Sequence, residues 1–100
     1  MLSRIKHPYK RNRKAIASMR RRYCERCGRE TDIEPHHIFT IGSGGQDNRE
    51  NLLQLCSECH ISVHMGGIAR EELLKIVARR EGISTDEAYR RDRRAMGWEV

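Results

Sequence analysis

The chain has 100 residues, 37% of them apolar and only five aromatic, with a formal net charge of +6. That length suits one domain with a modest core, so burial alone leaves stability marginal and a structural metal is the usual remedy. Nothing approaches the roughly 20 apolar residues of a membrane span, and the N-terminal segment is basic without a signal peptide's apolar stretch, so a cytoplasmic protein with reduced thiols is expected.

Residues 1–22 read as a basic arm. Arg4, Lys6, Lys10, Arg11, Arg13, Lys14, Arg20, Arg21 and Arg22 lie there with no acidic residue, whereas residues 23–100 carry 11 basic and 14 acidic side chains. The whole positive excess therefore sits in the arm, a footprint for a polyanion, most often nucleic acid. Pro8 breaks the arm early. A helix is predicted from about Lys10 to Tyr23, with Ala15, Ile16, Met19 and Tyr23 on one face, but its apolar stripe is thin enough that it could order only on DNA.

Residues 23–66 read as a metal module. Cys24 to Gly28 turns tightly. Residues 31–39, with Ile33, Ile38 and Phe39, suit a short strand and its turn. Ile41 to Asp47 is glycine-rich and reads as a loop. Asn51 to Leu55 is a short apolar segment, and a helix is predicted from about Ser57 to Met65, stopped by Gly66 and Gly67. Residues 67–100 form two predicted helices that enlarge the core. Ala69, Leu73, Ile76 and Val77 share one face of the first, which Gly82 ends. Ser84 with Glu87 reads as a capping box for the second. Ala88, Tyr89 and Met96 form its inner face, and Gly97 closes it. A DNA-reading helix-turn-helix is the minority alternative for this pair.

Cys24, Cys27, Cys56 and Cys59 form two C-x-x-C pairs. A thiolate pair two residues apart binds one ion without stretching the backbone, and two pairs complete a tetrahedral site, most simply for a structural zinc. The ion would close the loop that carries His36, His37 and Asn51. Cys56 to His60 also matches the c-type haem signature, but that use leaves Cys24 and Cys27 unexplained.

The histidines suggest a second site. His60 and His64 are four apart on a predicted helix, so both rings project from one face and can share an ion. His36 and His37 are neighbours, and on an extended backbone neighbours point to opposite sides. If His36 faces the ion, His37 is free to serve water or a phosphate. Four histidines within 29 residues, set around a metal-closed loop, are hard to explain as isolated surface residues.

Together these residues resemble the HNH nuclease family, whose core is the ββα-metal finger. The family pattern is met by Cys24 and Cys27, His36-His37-Ile38, Gly44-Gly45-Gln46-Asp47, Asn51-Leu52, and Leu55-Cys56 through Cys59-His60. The resemblance implies an α+β fold: a small finger stabilised by the four-cysteine zinc site, with flanking helices. It implies that His37 is the general base, an imidazole whose ordinary pKa of about 6.5 suits neutral pH. His36, His60 and His64 are the implied ligands of a catalytic divalent ion, and Asn51 the residue that ties the loop and holds His37 in place. Many members carry Asp where this chain has His36. An all-imidazole set favours Zn2+, Ni2+, Co2+ or Mn2+ over Mg2+. Glu34 is near enough in sequence to support the site.

The resulting expectation is a metal-dependent endonuclease acting on double-stranded DNA, with the arm supplying much of the affinity and cleavage leaving 5′-phosphate and 3′-hydroxyl ends. No separate recognition domain is evident, so low sequence specificity, nicking or direction by a protein partner is expected. Small proteins of this type suggest a phage origin, with a packaging or recombination factor as such a partner and the bacterial host cytoplasm as the compartment. The alternatives are a non-catalytic zinc-binding module that grips nucleic acid and a nuclease specific for RNA.

Overall fold

The computed structural model describes residues 6–99, so Arg4 of the arm lies outside the described residues. Two strands, β1 (Ile33–His37) and β2 (Leu52–Cys56), form an antiparallel pair in which Ile33 faces Cys56 and His37 faces Leu52. All five β2 residues are buried, as expected for a strand covered on both faces. Helix α2 (Ser57–His64) follows without a linker, because Cys56 ends the strand and caps the helix, its sulfur accepting the Cys59 N–H at 3.5 Å. The finger is thus β1, a loop, β2 and α2.

Helices α3 (Arg70–Glu81) and α4 (Thr85–Ala95) pack on the far side of β2. A continuous core joins Cys24, Phe39, Leu53 and Leu55 of the finger to Leu73, Leu74, Val77, Ala78, Ala88 and Met96. Truncating a fully buried leucine such as Leu53 would cost about 2–5 kcal/mol, a large share of the stability of so small a domain. Arg80 adds a polar clamp. Its guanidinium bonds Glu25 Oε1 at 2.8 Å and the carbonyls of Leu52 and Arg49 at 3.1 and 2.6 Å. Glu25 in turn accepts the Gln54 N–H at 2.7 Å, joining the first cysteine turn to β2.

Several expectations shift in detail. The arm's helix, α1, spans only Arg13–Ser18. Asn12 stops it upstream by accepting the Ala15 N–H at 3.0 Å. Met19 is fully buried at its end, whereas Tyr23 is 46% exposed and off any inner face. Residues 7–12 hydrogen-bond to the finger and to the end of α4. The 41–47 loop contains a 3-10 turn over Ile41–Ser43, and another over Arg49–Asn51 precedes β2. Ser84 caps α4 by accepting the Glu87 N–H at 3.0 Å. Glu87 does not complete a reciprocal box, because its carboxylate is drawn to Arg91 and Arg94. Ala88 and Met96 are buried, but Tyr89 is 38% exposed, its ring centroid 5.9 Å from that of Phe39 in a tilted arrangement. Asp92 takes a buried place that the apolar pattern did not assign. Among the described residues no helix is long and apolar enough to cross a membrane.

Candidate active site and metal centre

Cys24 and Cys27 sit on the turn before β1, and Cys56 and Cys59 at the β2–α2 junction. Their four sulfurs lie within 4.8 Å of one another. All four are free thiols, and the Cys27 and Cys56 sulfurs are 3.6 Å apart, far beyond a disulfide bond. Burial would push the Cys24 thiol up, but hydrogen bonds from the backbone at Cys56, Cys27 and Arg26 outweigh it and bring it to about 6. Burial pushes Cys59 up to about 12, and the neighbouring cysteine sulfurs reinforce this against Arg26. Four sulfurs this close cannot all ionise without a cation among them, and the set fits a tetrahedral soft-metal site.

β1 presents His36 and His37 to opposite sides, as its alternation requires. His36 is 6% exposed. Its ring centroid lies 4.9 Å from that of His60 and 6.2 Å from that of His64, and the His60 and His64 centroids are 4.9 Å apart. One turn of α2 separates the last two, so β1 and α2 together gather three imidazoles. Burial first, then the neighbouring imidazoles, lower the pKa of His36 to about 4. At neutral pH it therefore carries a free lone pair, the form that binds a metal. These imidazoles fit a divalent ion by donor type, although they converge more loosely than the sulfurs. Glu34 Oε2 lies 3.7 Å from His60 Nδ1, at the edge of the group.

His37 turns away from this group. Its Nε2 donates to Asp47 Oδ1 at 2.6 Å, and the Asp47 side chain is fully buried. The other carboxylate oxygen accepts Tyr9 O–H and Asn12 N–H, both at 2.8 Å. Burial would raise the Asp47 pKa, but the bonds from His37, Asn12 and Tyr9 hold it below the usual carboxylate range.

The loop between the strands is built to deliver that carboxylate. Gly44 ends the 3-10 turn at φ +99°, a left-handed conformation natural to glycine. At Gly45 a Cβ would fall 1.7 Å from the Phe39 carbonyl oxygen, so only glycine lets the two backbones approach. Asn51, 1% exposed, ties them. Its Oδ1 accepts Phe39 N–H at 2.7 Å, and its Nδ2 donates to the carbonyls of Phe39 and Gln46 at 3.0 and 2.9 Å. The Asn51 side chain bonds not to His37 itself but to the backbone segments that carry His37 and Asp47, cross-linking them.

The arm residues divide. Lys10, Arg11, Arg13 and Lys14 line an open cavity of about 580 Å³ with Asn12, Gln46, Asp47 and Asn48, beside the His37 partner. Gln46 latches this stretch, accepting Lys10 N–H and donating to the His7 and Pro8 carbonyls, all at 3.2 Å. Lys6 instead lies over the Trp98 ring, 5.0 Å from its centroid. Arg20 and Arg22 are exposed, and Arg21 lies beside Tyr23 and Arg79. Asp47, Tyr9 and Asn12 were not among the expected site residues. Asp47 stood in the quoted glycine motif and could have been flagged there; the other two gave no local signal.

Residues 24–66 match the family model described as HNH endonuclease. The chain is also similar to the Type IV methyl-directed restriction enzyme EcoKMcrA of Escherichia coli (strain K12). The two are 33% identical over 57 residues, covering 48% of this chain and 21% of that enzyme. The chain thus corresponds to about a fifth of that relative's length. No solved structure matches the chain. The two-strand finger, its cysteine cluster and its histidines all fall within the residues, 24–66, that are similar to the HNH endonuclease family.

Proposed function

We infer that this protein is a metal-dependent endonuclease that hydrolyses phosphodiester bonds in DNA. The observation that carries the reading is the division of labour across β1, with His36 turned toward His60 and His64 and His37 toward a buried carboxylate at the edge of a basic cavity.

In this reading residues 1–22 are the DNA-gripping arm, 23–66 the catalytic core and 67–100 its scaffold. Zinc at the four cysteines supports the fold. The arm's cations hold the phosphate backbone without reading base sequence, which suits low specificity, nicking or direction by a partner. His36, His60 and His64 would hold the catalytic ion, and their donor type favours Zn2+, Ni2+, Co2+ or Mn2+ over Mg2+. When bound there, such an ion supplies charge neutralisation to the scissile phosphate and the departing 3′-oxygen. With Nε2–H committed to Asp47, His37 takes a proton at Nδ1. That proton comes from the attacking water as its oxygen bonds phosphorus and the bond to the 3′-oxygen breaks. The products carry 5′-phosphate and 3′-hydroxyl ends.

The test is cleavage of supercoiled plasmid across a panel of divalent ions, with metal titration of each variant. His37→Ala should lower cleavage on the order of 10²–10⁴-fold while DNA and metal still bind. His60→Ala should weaken binding of the second ion. If the wild type binds DNA but leaves plasmid intact with every ion, the protein is a binding module instead. If His37→Ala cuts like wild type, the assignment of the base is wrong.

A further inference from the structure

The Asp47 carboxylate accepts three hydrogen bonds, and two of its three partners come from a segment 35 or more residues away. Tyr9 O–H and Asn12 N–H both donate to Oδ2, and His37 Nε2–H to Oδ1. The neighbouring Gln46 holds the same segment through His7, Pro8 and Lys10. The stretch that brings Lys10, Arg11, Arg13 and Lys14 to the cavity is therefore the stretch that immobilises the partner of His37.

We propose that Asp47 and Tyr9 are positioning residues: the docked arm fixes the Asp47 carboxylate so that it sets the tautomer and orientation of His37. The proposal rests on the nuclease reading for its kinetic consequence and on geometry alone for the tautomer. A carboxylate has no donor, so it must accept from His37. That places the imidazole proton on Nε2 and leaves the Nδ1 lone pair free.

Asp47→Asn is a sharp test. The position of Oδ2 receives two donors, so an amide must put its oxygen there and turn its NH2 toward His37. Nε2 must then accept, the ring proton moves to Nδ1, and the atom needed as base is blocked. The same logic makes an aspartate-to-asparagine change costly in a serine protease triad. Tyr9→Phe removes one of the two donors and should loosen the carboxylate without reversing its preference. A purely structural role for Asp47 would alter stability and leave the His37 tautomer alone.

The experiment is 15N NMR of the histidine rings at mildly alkaline pH on zinc-loaded wild type, Asp47→Asn and Tyr9→Phe, beside steady-state cleavage kinetics. Wild type should show His37 as the Nε2–H tautomer. Asp47→Asn should shift it to Nδ1–H and lower kcat on the order of 10²–10⁴-fold with KM little changed. Tyr9→Phe should lower kcat several-fold, again with KM little changed. Retention of the Nε2–H tautomer or of wild-type kcat in Asp47→Asn would overturn the proposal. If Asp47→Asn fails to fold, wild-type kcat in Tyr9→Phe would do so. A tautomer reversal in a protein that cuts no DNA would support the positioning role and sink the nuclease reading instead.

Discussion

Asn51 offers the most direct test of how the site is assembled. Its buried amide makes three hydrogen bonds, to Phe39 N–H and to the carbonyls of Phe39 and Gln46. Each contributes about 1 kcal/mol net, and a buried donor left without a partner costs about 1–3 kcal/mol. Asn51→Ala should therefore lower stability by about 3–5 kcal/mol. Asn51→Asp is the more discriminating change, since it keeps the side-chain volume and the acceptor for Phe39 N–H. Its second oxygen would face two carbonyl oxygens that the Asn51 amide nitrogen meets at 3.0 and 2.9 Å, replacing two bonds with repulsion. It should destabilise at least as much as alanine. Cleavage should fall further than stability explains, because Phe39 lies two residues after His37 and Gln46 immediately before Asp47. Guanidinium denaturation of the zinc-loaded variants, followed by circular dichroism, gives the stabilities, and plasmid nicking under conditions where each remains folded gives the activity. An Asn51→Asp protein within about 0.5 kcal/mol of wild type would exclude this role for the amide, since surface substitutions alone reach that range.

If the four sulfurs hold zinc as proposed, a strong chelator should unfold the domain and Cys56→Ala should fail to fold, because metal binding there would be folding free energy; a folded, metal-free Cys56→Ala protein would contradict this. Neutralising Lys10, Arg11, Arg13 and Lys14 as glutamines, which leaves Tyr9 and Asn12 in place, should weaken DNA binding and make log K against log salt shallower by about 0.9 per lost phosphate contact; an unchanged slope would remove the arm from the interface. Burial, with Glu50 nearby and against a bond from Asn48, raises the Asp92 carboxyl to about 7, and its Oδ2 has no partner. Because the folded pKa lies above the unfolded value of about 3.9, the folded state holds the proton more tightly. Stability from this group is full below about pH 4 and is lost as pH rises through 7, by up to about 4 kcal/mol. Asp92→Asn should remove that part of the slope and be the more stable protein in mild alkali; parallel stability-against-pH curves for the two would exclude it.

The sequence alone determined the finger. Thiolate pairs two residues apart bind one ion through local geometry, and residues four apart on a helix share a face, so the cysteine cluster and the His60–His64 pairing were legible from spacing. The opposition of His36 and His37 followed from strand alternation. The glycine pair and Asn51 were visible as a motif, although the reason for Gly45, close approach to the Phe39 carbonyl, appeared only with both backbone segments in place. What tertiary structure decided was who meets whom across long separations. Asp47 joins Tyr9 and Asn12 because the arm folds back over the loop, a contact that leaves no periodic trace in either segment. The arm's high charge made it resemble a free tail. Its docking on the loop uses a tyrosine hydroxyl, the backbone N–H groups of Lys10 and Asn12 and the Gln46 amide, groups that occur in any polar stretch. Arg80 and Asp92 were hidden for a related reason: apolar periodicity ranks residues by transfer from water, whereas a buried charged group keeps its place through the particular partners that the fold assembles around it.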